Sequence, residues 1–118
     1  IVLEGQVHNY QRSYPIACNP KNISSPTTTS ASQHNYNNPE GQIYVIVGTG
    51  GVNLQGLSGK SSYMASQQDS KFGVLAMLFS ENKLNANFLA NNGSNLDQFN
   101  ITKRTSHSNI ITNCPLIG

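Results

Sequence analysis

A chain of 118 residues, 36% hydrophobic and 10% charged, is long enough for one small domain whose core must come from a few strongly apolar segments. Seven basic and five acidic residues leave a net charge of +2. The basic groups are scattered, which excludes the clustered cationic surface that nucleic acid requires. No apolar run approaches the roughly 20 residues of a membrane-spanning helix.

Ile1-Val2-Leu3 reads as the end of a short apolar strand, with no basic leader segment before it. We therefore expect a fragment or processed product. Gly5 then opens a polar turn containing His8 and running to Pro15. From Cys18 to Gly41 no apolar period is visible, and a Ser/Thr/Asn-rich insertion is expected at about 19–41. Loops of that length are usually functional or disordered, and the composition leaves both open.

Ile43-Tyr44-Val45-Ile46-Val47 is the strongest strand signal, and its unbroken β-branched and aromatic run predicts burial on both faces. Gly48-Thr49-Gly50-Gly51 ends it. A second loop, 52–70, has room for a short helical turn near Ser66, although nothing specifies one. An antiparallel meander is predicted over about 72–103. Leu84, Ala86 and Phe88 alternate with Asn85 and Asn87, the pattern of a strand wet on one side. Asn91-Asn92-Gly93-Ser94 is a hairpin signal, since Asn and Gly accept positive φ at little cost. Phe99 and Ile101 continue the alternation. About five strands and almost no helix are expected.

Three sequons for N-glycosylation occur: Asn22-Ile23-Ser24, Asn92-Gly93-Ser94 and Asn100-Ile101-Thr102. They favour a secreted or extracellular location. Cys18 and Cys114 are the two cysteines. Paired, they would close a loop of nearly the whole chain; reduced, they would be buried thiols. The sequons favour the disulfide.

The most informative stretch is Gly5-Gln6-Val7-His8-Asn9-Tyr10-Gln11-Arg12. His8 follows a strand closely, where ligand groups concentrate in α/β folds. Imidazole suits zinc or iron, and the guanidinium fork of Arg12 suits phosphate. The alternative is an ordinary solvated loop histidine.

This stretch resembles the GH-x-H-x-Y-x-R motif near the end of calcineurin-like metallophosphoesterases, in particular their purple acid phosphatase branch. Gly41 to Gly51, Phe72-Gly73-Val74-Leu75, and Asn92-Gly93 through Leu96-Asp97-Gln98-Phe99 resemble later parts of that family, in the expected order. The resemblance implies that the chain, 1–118, is the C-terminal portion of a metallophosphoesterase domain. The complete parent would be a four-layer α/β/β/α sandwich, to which this piece contributes mostly β-strands and long loops. In such enzymes a binuclear metal centre (Fe, Zn or Mn) activates a bridging hydroxide and polarises phosphoryl oxygens. His8 falls at one metal ligand of the motif. Gln6 stands where the motif has a histidine that ligates the other metal, and it offers only a neutral carbonyl oxygen. The remaining ligand motifs are absent, so this chain alone is expected to bind no such centre. His34, His107 and Asp69 lie in no motif, and Asp97 is expected to cap a hairpin turn.

The resemblance thus implies part of a secreted phosphatase acting on phosphate esters. It would be completed by a missing N-terminal portion or a complementary chain, with self-association as a further partner expectation. The alternative function is a non-catalytic extracellular assembly or binding module derived from such an enzyme.

Overall fold

The computed structural model describes residues 1–104. Ten strands follow one another: β1 (Val2–Glu4), β2 (Tyr10–Ser13), β3 (Ile16–Ala17), β4 (Thr27–Thr28), β5 (Asn35–Asn37), β6 (Tyr44–Val47), β7 (Met64–Gln68), β8 (Gly73–Phe79), β9 (Lys83–Ala90) and β10 (Asn95–Thr102). The described residues include no helix, and thus none long and apolar enough to cross a membrane. The expected Cys18–Cys114 pairing lies outside the described residues, because Cys114 does.

Two four-stranded sheets face each other. The first has the order β1-β6-β2-β7 and the second β5-β10-β9-β8, while β3 and β4 form a separate small ribbon. In the first sheet β6 runs parallel to β1 and antiparallel to β2. The loop 5–9 must therefore pass over the C-terminal end of β6 to carry the chain from β1 to β2. Gly48 makes that crossing possible. A Cβ at this position would sit 1.9 Å from the Val7 carbonyl oxygen and 2.8 Å from that of Gly5.

The core lies between the sheets. Tyr10, Ile43 and Val45 come from the first, and Tyr36, Leu84, Ala86, Phe88, Phe99 and Ile101 from the second. Cross-strand pairing places small against large, with Ala86 opposite both Phe99 and Met77. Tyr10 stacks on Phe88 with ring centroids 4.1 Å apart and planes 17° from parallel, a geometry that adds to simple area burial.

Two expectations about the first sheet need correction. The run 43–47 is buried on one face only: Val45 is fully enclosed, whereas Tyr44 is exposed and Ile46 and Val47 are half-buried. Its other apolar face has no layer over it among the described residues. The helical turn near Ser66 is instead strand β7, which pairs with β2 through register from Tyr10↔Gln68 to Ser13↔Met64. Polar Ser-Gln-Gln suits an edge strand with one wet face.

The segment 19–41 is more ordered than its composition suggests. Within it, β5 adds to the second sheet parallel to β10, with Tyr36 opposite Ile101. Tyr36 is the single core side chain of that segment, and one aromatic among polar residues makes no period to read.

Candidate functional site

His8 sits in the loop 5–9, at the C-terminal ends of β1 and β6. The loop closes with a tight bond from the Asn9 N–H to the Val7 carbonyl, 2.9 Å, and is tied to β6 by the Gly48 N–H donating to Asn9 O, 3.0 Å. The half-buried histidine is then clamped by residues 53–55. Its backbone N–H donates to Gln55 Oε1 (2.8 Å), and the Gln55 N–H returns a bond to His8 O (2.8 Å).

The imidazole itself is oriented by Asn53. His8 Nδ1 lies 3.2 Å from the Asn53 carbonyl oxygen. A carbonyl only accepts, so Nδ1 carries the proton of the neutral ring, whose Nε2 then keeps its lone pair. A backbone carbonyl on one ring nitrogen is the usual device that prepares the other as a metal ligand or proton acceptor.

A chain of amides holds this arrangement from behind. Gln67 Nε2 donates to Gln11 Oε1 (2.8 Å), Gln11 Nε2 to Asn9 Oδ1 (3.0 Å), and Asn9 Nδ2 to Gln55 O (3.2 Å). The first part of the loop 52–70, to which the sequence assigns no role, thus fixes the histidine. Sequence singled out none of Asn53, Gln55 or Gln67, which lie 45 or more residues beyond His8, and Asn9 entered only as a member of the motif.

Gln6 lies in the same loop and is exposed, with no hydrogen bond from its side chain. The structure places Gln6 and His8 on one short loop. Among the described residues, no three His, Cys, Asp or Glu side chains are grouped to hold a metal ion. His34 is engaged elsewhere, donating through Nδ1 to the Gln98 carbonyl at 2.7 Å on the second sheet. Asp69 accepts the Leu57 N–H at 2.8 Å. His107 lies outside the described residues.

Arg12 is not placed to meet a phosphate. The alternation along β2 turns Tyr10 and Arg12 inward together, and the guanidinium is buried. Nε and Nη2 donate to Asp97 Oδ2 (2.6 Å) and Oδ1 (3.0 Å), Nη1 to the Tyr36 hydroxyl (2.6 Å), and Nη2 also to Gln33 O (2.8 Å). Its carbon lies 4.8 Å from the centre of the Phe99 ring, within cation–π range.

Asp97, expected at a turn, is the acceptor at the centre of this cluster. Alternation along β10 turns Asp97 inward with Phe99 and Ile101, and the pairing with β9 shifts by a bulge just before it, between Asn95 and Asp97. The Tyr10 hydroxyl donates to its Oδ2 at 2.5 Å. Burial tends to lower the guanidinium pKa, but the bonds and charge of Asp97 and the Tyr36 contact outweigh it and hold the group more firmly protonated than usual. Burial, then the charge and hydrogen bond of Asp97, push the Tyr10 phenol well above its ordinary range.

No protein-family model matches this chain, and no curated protein matches it. Among solved structures, a purple acid phosphatase from yellow lupin (Lupinus luteus) seeds superposes with a TM-score of 0.74 at 24% sequence identity, over 93% of this chain. The chain covers 20% of the length of that phosphatase. The fold described here is therefore that of part of a purple acid phosphatase structure.

Proposed function

We propose that this chain is the C-terminal portion of a secreted, metal-dependent phosphatase that hydrolyses phosphate esters, and that His8 is one of its metal ligands. The observation that carries the reading is the His8 imidazole: held at a strand end, with Nδ1 committed to Asn53 O and Nε2 free to ligate. The fold likeness to a purple acid phosphatase supports it.

The residues present do not fit a binuclear centre by themselves. His8 supplies one nitrogen and Gln6 at best a neutral oxygen, where structural and catalytic sites use three or four fixed ligands per ion. Iron, zinc or manganese would need the remaining donors from an N-terminal portion or a complementary chain.

The fold has room for that completion. Strand β1 ends the first sheet, and its outer edge is unpaired among the described residues. Beside it a groove of about 350 Å³ opens between the sheets, lined by Leu3, Val47, Val74, Leu75 and Met77 among others. The half-open apolar face of β6 fits an inner layer of a four-layer α/β/β/α sandwich.

The test is made on the full-length parent protein. His8→Ala should lower its bound metal, measured by elemental analysis, and its turnover of a generic phosphomonoester. The 118-residue chain by itself should show no metal-dependent turnover. Unchanged metal content and rate in the His8→Ala protein would overturn the assignment.

A second reading rests on Gln6. With glutamine at the place of a second histidine, the parent would instead be a non-catalytic extracellular assembly or binding module. In that case Gln6→His would raise neither metal content nor rate in the parent.

A further inference from the structure

The three sequons are equivalent in sequence, and the fold makes them unequal. N-glycosylation joins the carboxamide nitrogen of Asn to the first carbon of an oligosaccharide carried on a lipid pyrophosphate. The nitrogen–carbon bond forms as the carbon–oxygen bond to the pyrophosphate breaks. The lipid pyrophosphate leaves with the electron pair, and an amide proton passes to a base of the transferase. An acceptor that keeps its glycan in the folded protein needs a free Nδ2 and open space beyond it.

Asn22 meets both conditions. It is exposed, in a run of turns closed by the Asn22 N–H to Asn19 O (3.1 Å) and the Ser25 N–H to Asn22 O (3.0 Å). The Ser24 hydroxyl donates to Asn22 Oδ1 at 2.8 Å. That bond engages the carbonyl oxygen of the acceptor amide and leaves its nitrogen uncommitted, for Nδ2 has no acceptor among the described residues.

Asn92 is the second. It is exposed at the tip of the β9–β10 hairpin, followed by Gly93 at a φ of 88°. The Ser94 N–H donates to Asn92 Oδ1 at 2.9 Å, so again the oxygen is held while the nitrogen has no partner among the described residues.

Asn100 differs on both counts. It lies inside β10, half-buried, between Asn35 of β5 and Asn85 of β9 in register. Its Nδ2 donates to Asn35 Oδ1 at 2.6 Å. A glycan there would take one of the two Nδ2 hydrogens and crowd Asn35 and Asn85 on the outer face of a continuous sheet.

We propose that Asn22 and Asn92 are N-glycosylated and that Asn100 is not. The assignment rests on the extracellular location proposed above. It is tested on the full-length protein expressed in a eukaryotic host, recovered separately from medium and cytosol. Removal of glycans by peptide N-glycosidase in heavy-oxygen water converts each occupied Asn to labelled Asp. A digest without the glycosidase controls for spontaneous deamidation at Asn92-Gly93. Label at residues 22 and 92 and none at 100 is expected, with Asn22→Gln and Asn92→Gln each removing one glycan's worth of mass. Label at 100, or unlabelled Asn at 22 or 92 in protein from the medium, overturns the site assignment alone. Unlabelled protein found only in the cytosol overturns the extracellular location as well.

Discussion

Arg12 and Asp97 stand 85 residues apart in sequence and form a side-on ion pair in the seam between the two sheets, at 2.6 and 3.0 Å. Both side chains are almost wholly buried. Breaking such a pair from one side leaves an uncompensated buried charge, which costs about 3–5 kcal/mol, whereas replacing both partners by apolar groups costs less. Asp97→Ala should therefore lower the free energy of unfolding in urea by about that amount. The double variant Arg12→Met, Asp97→Leu should recover part of the loss. A double variant no more stable than Asp97→Ala would contradict this account.

Alkaline pH should weaken the same seam. Burial raises the Tyr10 and Tyr36 phenols above their ordinary value near 10. Asp97 adds to the rise at Tyr10, and Arg12 opposes it at both. Above about pH 10 the unfolded chain releases these protons while the folded one retains them, so stability falls as pH rises further. Below that pH the two states hold the same phenol protons and the contribution is intact. Tyr10→Phe should be less stable near neutrality, by roughly 1–3 kcal/mol for its lost bond to a carboxylate, and should decline less steeply above pH 10. Parallel declines in urea midpoint for the two proteins would refute the assignment.

Gly48→Ala tests the passage of the His8 loop over β6. The new methyl would start 1.9 Å from backbone oxygen, which cannot rotate away as a side chain could. Overpacking of this kind costs about 1–3 kcal/mol. Faster hydrogen exchange at the His8 N–H, which Gln55 now accepts, should accompany the loss. An unchanged melting temperature with unchanged exchange would show that the loop does not depend on the glycine.

Burial separates the aromatics of the meander from its exposed apolar residues. Phe88 and Phe99 are fully enclosed, and either one truncated to Ala should cost about 3–5 kcal/mol. Leu78 is 69% exposed on β8, and Leu78→Ala should stay within about 0.5 kcal/mol of the parent chain. Similar losses at Leu78 and Phe88 would mean that the sheet faces are assigned the wrong way round.

Sequence alone determined the elements whose side chains alternate with a period of two. Leu84, Ala86 and Phe88, then Phe99 and Ile101, show their inward face without any structure, because burial of one face of a strand repeats locally. It also located His8 at a strand end. Tertiary structure decided everything that depends on partners distant in the chain. Whether Arg12 met solvent or core turned on an acid 85 residues away, and its charge alone argued for the surface. The parity was nevertheless written: Arg12 lies two residues after Tyr10, and Asp97 two before Phe99, so an inward base and an inward acid were each waiting for the other. Tyr36 could not be read, because a strand of three residues with one apolar side chain has no period. The setting of His8 could not be read either. Its tautomer depends on the Asn53 carbonyl, a backbone group that every residue carries and that only the path of the chain brings into place.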